Sequence, residues 1–284
     1  MLARLASRTI NAVAESNVEG HQNVDLVYES LVQIDNDGNL IPDLATSWEH
    51  SDDFQTWTFK LREGVKFHDG TPFNADAVKF NYDRLLRVPG QSGGAWTNYA
   101  DENTVEVVDD NTVVFHLTAP FPGLPMDMLY GRYKIASPTY IKENSTDADP
   151  EAMEFMATHA SGTGPFRLVE FVPDQRVVFE KNPEYWGGEP GGRSTPKIDR
   201  LVFQIIKDPE TARIELEAGR VDIVESPPPA QFAALRNTPG IELSSYKVPR
   251  VAYLTMDVSK PPFDDVKVRQ AVAHAINYEE LIAA

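Results

Sequence analysis

The hydrophobic period changes once along this chain, and that change limits the folds open to it. From about residue 31 to 120 apolar and polar residues alternate: Trp57, Phe59 and Leu61 face one way while Thr58, Lys60 and Arg62 face the other. Val113, Phe115 and Leu117 repeat the pattern after Asp109-Asp110-Asn111, a turn cluster that follows VEVV at 105–108. A period of two belongs to strands with one covered face, so this stretch predicts antiparallel strands and hairpins. From about residue 198 the texture becomes strand, helix, strand, helix, strand. LVFQII (201–206) reads as a buried strand, and Asp208-Pro209-Glu210 supplies a cap, a proline at the first helical position and first-turn negative charge. Gly219 ends that helix, VDIV (221–224) is a short strand, Pro227-Pro228-Pro229 opens a short helix, and IELSSY (241–246) returns as strand. Such alternation predicts a sheet with parallel pairs and helices on its faces, which makes the chain α/β.

One helix is expected inside the alternating region. Asn74 can cap it, Asp76 lies in its first turn, and Val78, Tyr82 and Leu85 recur at helical spacing. Just before it stands FHDGTPF (67–73), where His68 and Asp69 raise the question of chemistry. Asp-Gly followed by Thr-Pro is turn chemistry between a strand and a helix cap, so a structural corner is the leading reading and a catalytic or metal role the alternative. After Pro261-Pro262, Val268, Ala271, Val272, Ala275 and Ile276 form the apolar stripe of another helix, and Asn277 caps one more. The chain stops at LIAA, which reads as an interruption inside a domain.

Charge narrows the partners. With 26 Lys+Arg against 43 Asp+Glu the formal net charge is −17, which repels phosphate backbones and anionic lipid surfaces, so no nucleic-acid partner is expected. There is no cysteine, which removes disulfides, thiolate nucleophiles and Cys-based zinc sites. Arg4 and Arg8 interrupt the apolar residues at the start, which therefore lacks the h-region of a secretory signal. The histidines at 21, 50, 68, 116, 159 and 274 form no local metal-ligand spacing, and no nucleophile elbow or phosphate loop is present. Neither a cofactor nor a metal is expected. Trp96 and Tyr99 in a glycine-rich polar loop, and Tyr253 in VAYLTMD after Arg250, are aromatic residues suited to a solute cleft, although edge packing explains each equally well.

VYESLV (27–32), PDLATSWEHSDDFQTWTFKLREGVKFHDGTPFNADAVKFNYDRL (42–85), GTGPFRLVEF (162–171), EKNPEYWGG (180–188), LEAGRVDIV (216–224) and PPFDDVKVRQAVAHAINYEEL (261–281) together resemble the extracellular solute-binding proteins of bacterial ABC importers. The resembling family contains the oligopeptide-, dipeptide- and nickel-binding proteins. The resemblance implies a periplasmic-binding-protein-like (type II) two-lobed fold with an inserted, mainly antiparallel β domain and an incomplete second lobe. Residues 1–34 and 160–250 would form lobe I, 35–159 the insertion, and 251–284 the start of lobe II. The implied role is an extracytoplasmic receptor, periplasmic or at the cell surface, that acts without catalysis. It would capture short peptides and deliver them to an ABC permease, as a monomer in full length. Nickel chelates, oligosaccharides or another solute are alternative ligands, and a glycosidase-type enzyme is a more distant reading. Ligand contacts implied are Val18, Glu19 and Gly20 in a loop before the first helix, Trp96 and Tyr99 in the insertion, and Arg250 and Tyr253 between the lobes. The family pattern usually has Asn where this chain carries Asp257.

Overall fold

The computed structural model describes residues 2–4, 9–13, 18–88, 96–188, 194–225, 227–236, 238–245 and 253–283. The chain divides into a larger unit, 1–241, and a smaller one, 242–284. The larger unit opens with strand β1 (Leu2–Arg4), helix α1 (Val18–Val27) and a hairpin of β2 (Val32–Ile34) with β3 (Leu40–Pro42). Asp35 shapes the hairpin turn by accepting the backbone N–H groups of Asp37 and Asn39, each at 2.9 Å.

The alternating region then supplies β4 (Ala45–His50), β5 (Thr56–Leu61), helix α2 (Ala75–Arg87), β6 (Val105–Asp109) and β7 (Thr112–His116). The strands form one antiparallel sheet in the order β4-β5-β7-β6. Trp57, Phe59, Leu61, Val113 and Phe115 are buried, as the period of two requires. Trp57 faces Phe115 and Phe59 faces Val113 in register, and the Phe59 and Phe115 rings meet edge to face at 5.4 Å. Helix α2 packs on β6 and β7 through its buried Val78, Tyr82 and Leu85.

Its cap is the one expected: the Asn74 side chain accepts the N–H of Ala77 at 3.0 Å. Asn74→Ala removes that acceptor and is expected to destabilise the larger unit by about 1 kcal/mol. The check is a lowered urea midpoint with an unchanged slope. An unchanged midpoint would mean that solvent or another group satisfies the first turn.

Short helices α3 (Leu124–Asp127), α4 (Pro138–Glu143) and α5 (Met153–Met156) connect this sheet to the next. Arg84, enclosed on α2, ties the two parts together. Its Nη2 donates to the Glu151 carbonyl at 2.7 Å, and its Nε lies 3.4 Å from the Glu151 carboxylate. Burial lowers the guanidinium pKa, and the Glu151 charge opposes that effect.

The remainder of the larger unit comprises β8 (Phe166–Val172), β9 (Arg176–Lys181), β10 (Arg200–Ile205), α6 (Pro209–Glu217), β11 (Ile223–Val224) and α7 (Pro229–Leu235). The sheet order is β11-β1-β10-β9-β8. β1 is parallel to both of its neighbours, whereas β10, β9 and β8 are antiparallel. The sheet is therefore mixed, and 201–206 is less uniformly buried than its apolar run suggests: Phe203 and Ile205 are buried while Leu201, Val202 and Gln204 are half-buried. Asp208 caps α6 by accepting the Thr211 N–H at 2.8 Å, and Gly219 follows it with a left-handed φ of 67°.

Among the described residues of the larger unit two large apolar cores result, beside a small cluster at Ala212 and Val221. One fills the antiparallel sheet and includes Phe59, Tyr82, Trp96, Phe115 and Tyr133. The other lies among α1, β8, β9 and β10 and includes Val24, Tyr28, Phe166, Phe179 and Phe203.

IELSSY does not return as the expected strand, since described residues 241–245 carry none. Residues 253–257 of VAYLTMD are likewise not in a strand. An apolar pattern gives a segment strand propensity, but only a neighbouring edge can pair its N–H and C=O groups. The smaller unit holds α8 (Val266–Ala275), capped by Asp265, and α9 (Tyr278–Ala283), whose first turn is bonded to Asn277. No residue of α8 is buried.

Candidate functional site

Segments far apart in sequence converge on Glu29, two residues beyond the end of α1. Its side chain is fully buried, so its oxygens need donors in place of water. Thr163 Oγ1 donates to Oε2 at 2.8 Å, Trp186 Nε1 donates to the same oxygen at 2.7 Å, and Tyr185 OH donates to Oε1 at 2.7 Å. These donors lie 134, 157 and 156 residues along the chain from Glu29. The Arg62 guanidinium covers the Trp186 ring at 4.5 Å, and Arg62 Nε donates to the Asp43 carbonyl at 3.2 Å. The end of α1, β3–β4, β5 and the segment after β9 are thereby fastened at one corner.

The loop that carries Thr163 is pressed against α1 itself. Gly164 N–H donates to the Val27 carbonyl at 2.9 Å. A Cβ added at Gly162 would stand 2.1 Å from that carbonyl oxygen, and one at Gly164 would stand 2.6 Å from the Val27 carbonyl carbon. Glycine is required here for close approach of two backbones.

His68 holds the other side of the same loop. Its backbone N–H donates to the Gly162 carbonyl at 2.8 Å, and its Nε2 lies 2.9 Å from the Gly164 carbonyl, which makes Nε2–H the donor. Nδ1 then carries the lone pair, and the Gly162 N–H points at it from 3.5 Å. Burial pushes the imidazole pKa down to about 4; the Gly164 carbonyl opposes this and the Arg167 charge adds to it. Asp69 completes the corner: its backbone N–H donates to Ser161 Oγ at 3.2 Å and its carboxylate accepts the Thr71 N–H at 3.0 Å. Burial raises the Asp69 pKa, but hydrogen bonds from Ser137, Thr71 and Ser161 outweigh it and leave the carboxyl below its usual range. Both polar atoms of His68's ring and both oxygens of Glu29 are directed at backbone or side-chain groups already in place. The arrangement positions segments, which agrees with reading FHDGTPF as a structural corner.

The residues singled out from sequence are placed differently from one another. Val18, Glu19 and Gly20 form the first turn of α1 and not a loop preceding it. Trp96 is fully enclosed: its Nε1 donates to the Tyr82 carbonyl at 3.2 Å and its ring meets Tyr82, Phe115 and Tyr133 edge-on. It has no surface to offer a solute in this conformation, because its large apolar ring completes the core behind α2. Tyr99, on the same turn, is half-buried and stacks on Phe121 at 4.2 Å. Tyr253 belongs to the smaller unit and is 83% exposed. Arg250 lies outside the described residues. Glu29, Arg62, Thr163, Tyr185 and Trp186 were not anticipated; each lies in a motif stretch, but no local pattern marks a carboxylate for burial. Among the described residues no group of three or more His, Asp or Glu side chains is placed to hold a metal ion, and no helix is long and apolar enough to cross a membrane.

Comparison with known proteins gives this corner its context. The model of the bacterial extracellular solute-binding proteins, family 5, matches residues 39–284. A probable D,D-dipeptide-binding periplasmic protein of Escherichia coli is 33% identical over 260 residues, which cover 90% of this chain and 48% of that protein. Heme-binding protein A of Haemophilus influenzae is 36% identical over 279 residues, 91% of this chain and 49% of that protein. The chain thus spans about half the length of these relatives. The crystal structure of a dipeptide-binding protein from Pseudoalteromonas sp. SM9913 in complex with Met-Leu superposes with a TM-score of 0.84 at 25% identity, covering 100% of this chain and 58% of that one. With a family match across most of its length and the fold of the type II periplasmic binding proteins, the chain belongs to the bacterial extracellular solute-binding proteins, family 5.

Proposed function

We propose that this chain is part of a receptor, working outside the cytoplasm, that captures short peptides and passes them to an ABC permease without chemical change. The observation that carries the reading is the likeness, across the whole chain, to a structure holding the dipeptide Met-Leu. The peptide-binding name of the Escherichia coli relative supports it. An extended peptide suits such a scaffold because its backbone can hydrogen-bond to strand edges and loops while its side chains sit in hydrated pockets. The same scaffold accommodates other solutes, and the haem-binding relative marks the second reading. We assign residues 1–34 and 160–250 to one lobe, 35–159 to an insertion, and 251–284 to the start of a second lobe. In support, the mixed sheet draws its strands from both sides of the antiparallel one. Val18, Glu19, Gly20, Tyr99, Arg250 and Tyr253 remain the proposed ligand contacts.

Native mass spectrometry of the protein equilibrated with Met-Leu, a nickel–histidine complex and haem tests this. A retained dipeptide mass would support peptide capture. Retention of haem or of the nickel complex instead would replace the peptide reading. Retention of none by a protein with a native-like circular dichroism spectrum would overturn solute capture by this chain.

A further inference from the structure

The loop 162–164 is held from two sides, and the two holds differ in chemistry. On the α1 side it is fixed by Gly164 N–H on the Val27 carbonyl and Thr163 on Glu29, neither of which depends on the state of a histidine. On the other side it is fixed by His68, whose ring fits only when neutral. Nε2–H is used on the Gly164 carbonyl, so Nδ1 must stay unprotonated to face the Gly162 N–H. A proton on Nδ1 would set two donors against each other. The surroundings offer little to stabilise the added charge. The Arg167 charge on β8 repels it, although Arg167 is itself paired with Glu184 at 3.3 Å. Glu184 also meets Lys66 at 3.7 Å. Asp69 attracts the imidazolium, but its carboxylate is taken up by Thr71 and by neighbouring hydroxyls, with the Tyr140 phenol of α4 also within its field.

We propose that His68 is a proton-operated latch: when neutral it pins the 162–164 loop to the corner of the antiparallel sheet, and protonation releases that loop. Because the loop also seats Val27 and Glu29, release loosens the join between the two cores of the larger unit. The device does not depend on which solute the protein binds.

The consequence is quantitative. A ring that protonates near 6.5 when released and near 4 when latched makes the released population grow about tenfold per pH unit between those values. Amide exchange followed by NMR, corrected for intrinsic rates, reads it at two hydrogen-bonded sites: His68 N–H on the Gly162 carbonyl and Gly164 N–H on the Val27 carbonyl. Relative to β5 and β7 amides, their protection is expected to fall about fortyfold from pH 6.5 to 4.5. His68→Gln keeps an N–H for the Gly164 carbonyl and cannot take up a proton, so its ratio should stay flat. A wild-type ratio that moves less than about threefold, or an equal fall in the Gln variant, overturns the latch. If that variant does not fold, the wild-type ring titration decides. A ring that titrates at its ordinary value while both amides keep their protection excludes the proposal.

Discussion

Gly162→Ala is expected to destabilise the larger unit by more than about 4 kcal/mol, enough to leave little folded protein in the soluble fraction. The added Cβ would lie 2.1 Å from the Val27 carbonyl oxygen, 2.9 Å from its carbon and 2.7 Å from the Tyr28 ring. Overpacking against a mobile side chain commonly costs about 1–3 kcal/mol, but two of these three contacts are with backbone at the end of a helix. Relief would require α1 and the loop to separate, with loss of Gly164 N–H on Val27 and of Thr163 on Glu29. Gly162 is not among the glycines with left-handed φ, so lack of space and not backbone conformation sets the penalty. Soluble yield and chemical denaturation measure it; a midpoint within about 1 kcal/mol of wild type would show that loop and helix have room to part.

Glu29→Ala is expected to cost about 3 kcal/mol or more, because each buried donor left without its acceptor costs about 1–3 kcal/mol. Three donors lose their acceptor at once, and the Trp186 indole N–H cannot rotate to another without moving its ring out from under Arg62. Leaving buried donors without partners is what makes the change severe. Glu29→Gln should cost less, since its amide oxygen still accepts, while its NH₂ meets a donor. Denaturation midpoints rank the two variants, and tryptophan fluorescence reports whether Trp186 has changed surroundings. Equal stability of the alanine variant and wild type would refute the view that Glu29 organises this corner.

These two predictions concern residues that lie inside stretches legible as family motifs, yet their roles were not legible. VYESLV shows a glutamate among apolar residues, a composition as compatible with a solvated helix end as with a buried hub. GTGPF shows two glycines that read as a tight turn. In the structure they are points where one backbone touches another 135 or more residues away along the chain. Trp96 teaches the converse: a glycine-rich, polar neighbourhood suggested a ring open to ligand, and the fold closes the core with it.

What the sequence determined by itself is local. The alternation that places Trp57, Phe59 and Leu61 on one face, the caps at Asn74 and Asp208, the turn at Asp69-Gly70 and the stop at Gly219 each depend on interactions within a few residues. A short window therefore contains their whole cause. Tertiary structure alone decided that β1 lies between β10 and β11, that 241–245 is not in a strand, and that Glu29 finds its donors at 163, 185 and 186. Those outcomes depend on which surfaces meet once the chain is compact. A buried carboxylate is stable only where distant donors arrive together, and a strand exists only where another edge is free to pair with it.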